Sequence, residues 1–146
     1  MSLTPDPQIH LCATIEDTLA LGRRIGEACL PGTVISLRGP LGAGKTVIAK
    51  GIALALGIAE AIVSPTFTLV QEYEGKMSMH HMDLYRIDGI EEFAGIGGEE
   101  LLYNNGITLI EWSEKIHRIL PPHTVYITIE ILENQLRSIQ LEGMRV

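Results

Sequence analysis

The strongest constraint on this chain is the run Gly39-Pro40-Leu41-Gly42-Ala43-Gly44-Lys45-Thr46, a full match to the pattern G-x-x-x-x-G-K-[ST]. A β-branched stretch at 33–37 leads into it, and an Ala-, Ile- and Leu-rich stretch at 45–56, ended by Gly57, leads out. The pattern reads as a buried strand, a tight loop and a helix. Glycines let successive amide N–H groups converge on phosphate oxygens, and the helix points its positive end at the same place. Lys45 adds a mobile cation for the β and γ phosphates, and Thr46 offers a hydroxyl to Mg²⁺. The direct expectation is a nucleotide held by Pro40, Leu41, Gly42, Ala43, Gly44, Lys45, Thr46 and Val47.

The helix at 45–56 is apolar almost all round, as a helix packed deep against a sheet should be. Strand candidates for that sheet lie at 9–13, as an edge strand, then at 33–37, 67–73, 77–83 and 107–110. Glu74-Gly75-Lys76 is the turn between the third and fourth of these. A first helix spans 17–30, with Leu19, Leu21, Ile25 and Leu30 for its buried face and Pro31-Gly32 to end it. The acidic, glycine-containing stretch 89–103 reads as short helices and loops. Stretches 124–132 and 136–141 flank Glu133-Asn134-Gln135 as a closing hairpin. Together these predict an α/β chain, a three-layer P-loop NTPase sandwich with a mixed, mainly parallel sheet and a C-terminal hairpin. With no repeat, low-complexity tract or linker, residues 1–146 read as one domain. Residues 1–7, with Pro5 and Pro7, are expected to be loosely held.

Composition narrows the class. A net charge of -7 does not suit a protein that grips nucleic acid unaided. No apolar run approaches the roughly 18 residues needed to span a bilayer, and nothing like a signal peptide opens the chain. The two cysteines, Cys12 and Cys29, fit no metal-ligand spacing and read as reduced thiols in a cytoplasmic protein.

A metal beside Thr46 needs acidic help from the end of a buried strand. Asp83 closes the stretch 77–82 and Glu111 closes 107–110, and both qualify. No Asn-Lys-x-Asp segment that would read guanine is present, which favours ATP. Trp112 is either a core residue or lies near the nucleotide or a partner. His80 and His81 point to opposite faces of a strand and have no cysteine beside them, which disfavours zinc. Ser64-Pro65-Thr66-Phe67-Thr68, one element beyond the loop helix, sits where a switch sensing the γ-phosphate belongs, centred on Ser64 and Thr66.

This constellation resembles the TsaE (YjeE) family of small bacterial P-loop ATPases. The resemblance rests on Thr18-Leu19-Ala20-Leu21-Gly22, the phosphate loop, Gly51, Leu56-Gly57-Ile58, Ser64-Pro65-Thr66-Phe67-Thr68-Leu69-Val70 and Glu72-Tyr73. It continues in His81-Met82-Asp83-Leu84-Tyr85-Arg86 and Leu109-Ile110-Glu111-Trp112. The resemblance implies an ATP·Mg²⁺ site and docking on TsaD and TsaB, the pair that places threonylcarbamoyl on the adenosine beside the anticodon. The tRNA would be met only through that pair. It also implies phosphate contact by Lys45, a Mg²⁺ site at Thr46 and Glu111, and a place near the metal or the attacking water for Asp83. Thr66 would belong to the switch loop, and Trp112 would lie beside the nucleotide. Pro40 is a departure, since the family often has Asp there. Arg38 and Arg86 are the arginines near the motifs, and neither reads as an arginine finger, so slow turnover without a partner is expected. A small-molecule kinase and a nucleotide-dependent switch without hydrolysis are the rival readings. The absence of arginine from 89–103 speaks against a kinase lid.

Overall fold

The β-branched run before the phosphate loop forms the middle of a seven-stranded sheet in the computed structural model, which describes residues 6–146. The elements run β1 (Gln8–Cys12), α1 (Ile15–Ala28), β2 (Val34–Arg38), α2 (Lys45–Ala55), β3 (Val70–Tyr73) and β4 (Met79–Asp83). They continue through α3 (Ile90–Gly95), α4 (Gly98–Leu102), β5 (Ile107–Glu111), a 3₁₀ segment (Ser113–Ile119), β6 (Val125–Ile131) and β7 (Arg137–Glu142). The strand order is β1-β7-β6-β2-β5-β4-β3. The central strands β6, β2, β5 and β4 pair in parallel, while β3, β7 and β1 add antiparallel margins. This is the mixed α/β sheet with a closing β6–β7 hairpin that the pattern predicts. Strands β4 and β5 are buried along their whole length, and β2 up to Leu37, as strands covered on both faces must be.

Helices cover both faces. On one, α1 and α2 lay Leu21, Ile25, Ile48 and Ile52 over Ile35, Leu37, Leu109 and Ile127. On the other, Phe93, Leu102 and Ile116 pack over Val34, Met82 and Ile110. The acidic stretch is therefore the third layer, with Phe93 fully buried and its glutamates outside. Helix α1 begins at Ile15, two residues earlier than its apolar pattern suggests, because Thr14 caps it. Thr14 Oγ1 accepts from Asp17 N at 3.0 Å, and Asp17 Oδ2 accepts in return from Ala13 N at 3.1 Å. The helix stops at Ala28, so Leu30 is exposed rather than part of the buried face. Strand β3 starts at Val70 and not at 67. The Pro65 carbonyl accepts from Thr68 N and Leu69 N, and Leu69 takes a left-handed φ of 67°, so 66–69 turn before the strand begins. The expectation for residues 1–5 lies outside the described residues. Among the described residues, no helix is long and apolar enough to cross a membrane.

The two helices on the loop side touch backbone to backbone. A Cβ on Gly51 would run into Leu19 O and Arg23 N of α1, and one on Gly22 into Ile48 O of α2. Gly51→Ala is expected to cost about 1–3 kcal/mol of stability by forcing α1 and α2 apart. The check is a lowered urea midpoint at unchanged slope; a wild-type midpoint would show that the helix pair has slack.

Candidate functional site

The site is set by what leaves the carboxyl ends of the parallel strands. From β2 the chain enters the phosphate loop, where Gly42 (φ 78°) and Gly44 (φ 116°) adopt left-handed conformations that a side chain disfavours. Ala43 N donates to Pro40 O at 3.1 Å, tightening the loop, and Pro40 itself is exposed. Gly44 caps α2 with no side-chain partner, leaving the helix's first amides for a ligand. From β5 comes Glu111 and from β4 comes Asp83, in register with one another across the parallel pair. Both carboxylates are buried despite their charge.

Lys45 Nζ donates to Gly39 O at 2.9 Å and lies 3.4 Å from Glu111 Oε1. The other Glu111 oxygen, Oε2, lies 2.9 Å from His81 Nε2. Burial works to raise the Glu111 pKa, but the His81 hydrogen bond and the charges of His81 and Lys45 outweigh it. The carboxyl lies below its ordinary value. Asp83 is held differently. Its Oδ2 accepts from Thr66 Oγ1 at 3.2 Å and its Oδ1 from Tyr85 N at 2.9 Å. Ser64 Oγ stands 2.7 Å from Thr66 Oγ1, so the loop singled out in the sequence is tied directly to Asp83. His80 faces the other way, its Nδ1 3.2 Å from Glu72 Oε1 without hydrogen-bond geometry.

Trp112 adopts a left-handed φ of 62°, which turns the chain after Glu111 and leaves the indole half exposed against Tyr85, ring centroids 5.0 Å apart. It is therefore at the cleft and not in the core. The structure brings Pro40, Leu41, Gly42, Gly44, Lys45, Thr46, Val47, Ser64, Thr66, Asp83, Glu111 and Trp112 around one cleft of about 860 Å³. Ala43 instead is buried in the core. Arg38 is occupied by Ser36 Oγ at 3.0 Å and the Tyr126 ring, and Arg86 lies over the Phe67 ring.

One arginine escaped the sequence reading. Arg137, the first residue of β7, donates from Nε to Ala43 O at 3.1 Å and from a terminal nitrogen to Gly42 O at 3.3 Å. It clamps the phosphate loop from a point 94 residues away in sequence, and no local pattern marks it. Beside it, a second cavity of about 260 Å³ opens between Cys12, Thr14, Thr18, the loop glycines and Gln135. The carboxylates lie on the β5–β4 side of β2 and this cavity on the β6–β7–β1 side, with Gly42, Gly44 and Val47 shared between the cavity and the cleft. Burial raises both thiols, that of Cys29 to about 11, so neither is a reactive thiolate.

The donors at the cleft can also be tested against a metal. Among the described residues, no three His, Cys, Asp or Glu side chains form a group that could hold a metal alone. A hydroxyl from Thr46 with the carboxylates of Glu111 and Asp83 is a sparse, hard-oxygen set. That suits Mg²⁺, which keeps waters and takes phosphate oxygens as ligands.

Comparison with known proteins bears on the fold and the family. The family model described as "Threonylcarbamoyl adenosine biosynthesis protein TsaE" matches residues 12–139. The tRNA threonylcarbamoyladenosine biosynthesis protein TsaE of Treponema pallidum (strain Nichols) is 44% identical over 124 residues, 85% of this chain and 92% of the relative. The protein of the same name from Bacillus subtilis (strain 168) is 38% identical over 125 residues, 85% of this chain and 78% of the relative. The crystal structure of Bacillus subtilis YdiB superposes with a TM-score of 0.82 at 31% identity, covering 96% of this chain and 87% of that one.

The depressed Glu111 pKa makes a signed statement about acid stability. A carboxyl whose folded value lies below its unfolded value of 4.5 contributes stability that is present above the latter and is lost as pH falls through the former. In wild type, unfolding free energy should fall as pH drops below the ordinary carboxyl value of 4.5, and Glu111→Gln should flatten that dependence. Urea melts across this range check it; identical slopes for the two proteins would remove the ion-paired role of Glu111.

Proposed function

The chain belongs to the TsaE family of threonylcarbamoyl adenosine biosynthesis proteins, and on that footing we propose that it is a slow, Mg²⁺-dependent ATPase. The observation that carries the reading is the convergence of the phosphate loop, Asp83, Glu111 and Trp112 on one cleft, with Lys45 3.4 Å from Glu111. The amides of the loop and of the first turn of α2 cradle the β and γ phosphates, and Lys45 leaves Glu111 to meet them. Thr46 and Glu111 would hold Mg²⁺, which would supply positive charge against the phosphate oxygens. Asp83 accepts a proton-side hydrogen bond from the attacking water, and Thr66 orients its carboxylate. The base would lie in the second cavity, against Thr14, Thr18 and Arg137, on the flank of β2 away from the carboxylates.

The ATPase acts on the TsaB–TsaD pair in the cytoplasm and meets tRNA only through it. Exposed apolar side chains at the cleft support a partner there: Leu41, Tyr85 and Trp112 line it, and Phe67 stands open beside Thr66. No arginine among the described residues reaches the γ-phosphate end as a free finger, in keeping with slow turnover alone. The Thr66–Asp83 bond favours a second reading, in which ATP occupancy alone switches partner binding through this loop.

Phosphate release from Mg·ATP should be low for the chain alone, rise with TsaB–TsaD, and vanish in Lys45→Ala. Labelled phosphate passing to a metabolite would favour a kinase, and a long-lived complex holding intact ATP would favour the switch. Because Trp112 is the one tryptophan, its fluorescence should report ATP binding in wild type and stay flat in Lys45→Ala. An equal response in both would remove the nucleotide site.

A further inference from the structure

His81 stands one row below the two carboxylates, on the face covered by α1 and α2. Parallel pairing sets Asp83 opposite Glu111 and His81 opposite Leu109, and Leu109 in turn lies opposite Ile35 of β2. From His81 inward, through Leu109, Ile35 and Val125, the row is buried and otherwise apolar, with half-buried Gln71 of β3 opposite His81 on its outer side, and His81 is 0% exposed. An imidazole there costs free energy that a leucine or methionine would not, and it is only half satisfied. Nε2 lies 2.9 Å from Glu111 Oε2, while Nδ1 has no hydrogen-bond partner. A carboxylate oxygen only accepts, so Nε2–H is the donor to Glu111. Core filling does not account for a ring that gives its one hydrogen bond to the carboxylate at the strand end.

We infer that His81 is a positioning residue for Glu111, pinning Oε2 so that Oε1 is presented to the phosphate-loop side of the cleft. The inference rests on the reading of Glu111 as a Mg²⁺ ligand given above. Without the pin, the carboxylate gains torsional freedom and must be reordered whenever it takes up a ligand. The amides and Lys45 that hold the phosphates do not touch His81, so nucleotide binding without metal does not depend on it. Groups that orient a metal ligand from behind typically contribute on the order of 10–100-fold in metal affinity.

The test uses the full chain with His81→Leu, which removes the donor, and His81→Gln, whose amide nitrogen can reach the same oxygen. Trp112 fluorescence reads ATP binding in EDTA, then the Mg²⁺ midpoint at saturating ATP. His81→Leu should bind ATP in EDTA within about twofold of wild type yet need on the order of 10–100-fold more Mg²⁺, and His81→Gln should recover most of that loss. A wild-type Mg²⁺ midpoint in His81→Leu overturns the inference, as does a His81→Gln that fails as badly as His81→Leu. Should the leucine variant not fold, the glutamine variant decides: a near-wild-type Mg²⁺ midpoint supports the pin and a tenfold loss overturns it. If ATP binding by wild type itself does not respond to Mg²⁺, the proposed function falls and takes this inference with it. A normal wild-type response with an unchanged His81→Leu removes the inference alone.

Discussion

Parallel pairing of β2 with β5 puts Leu37 opposite Glu111, so the chain enters the phosphate loop one strand away from a buried carboxylate. Pairing of β5 with β4 then puts Asp83 beside Glu111 in the next position out. On the other flank β2 pairs with β6, and β6 carries β7, whose first residue, Arg137, reaches back to the loop carbonyls. One loop thus has carboxylates on one flank and a guanidinium on the other. Strands that run the same way can be joined only by a crossover, which is why α1, between β1 and β2, lies on the sheet, and its close glycine contact with α2 matters to the loop that α2 begins.

Burying Glu111 and Asp83 is costly unless their charge is met. Each is met by different means. Glu111 is paired with a cation on one oxygen and an imidazole on the other, deep against the sheet. Asp83 is met by neutral donors, a hydroxyl and a backbone amide, both from segments at the rim of the cleft. That difference suits different tasks. The Glu111 environment favours a fixed, ionised carboxylate, while that of Asp83 depends on the loop carrying Ser64 and Thr66. A change in that loop therefore reaches the Asp83 carboxylate through the Thr66 hydrogen bond.

Much of this was legible along the chain. The phosphate loop, its flanking strand and helix, the two strand-end carboxylates and the closing hairpin are local patterns, because residue period and turn chemistry act over a few positions. Where the reading slipped, a local competitor had won. Thr14 capped α1 early, and the Pro65 turn delayed β3 to Val70. Strand alternation sends His80 and His81 to opposite faces, but only the fold shows that one of them meets Glu111.

The sequence by itself determined the phosphate-loop pattern and the family, since both are written in short segments whose backbone demands are local. It also determined which residues could serve as acid partners, Asp83 and Glu111, because each ends an apolar strand. Only the tertiary structure decided that Trp112 faces the cleft, that Arg137 clamps the loop, and that a second cavity opens beside Cys12 and Thr14. Those features come from strand order and register. Both are settled by how the sheet buries its two faces, and neither is written in any one segment.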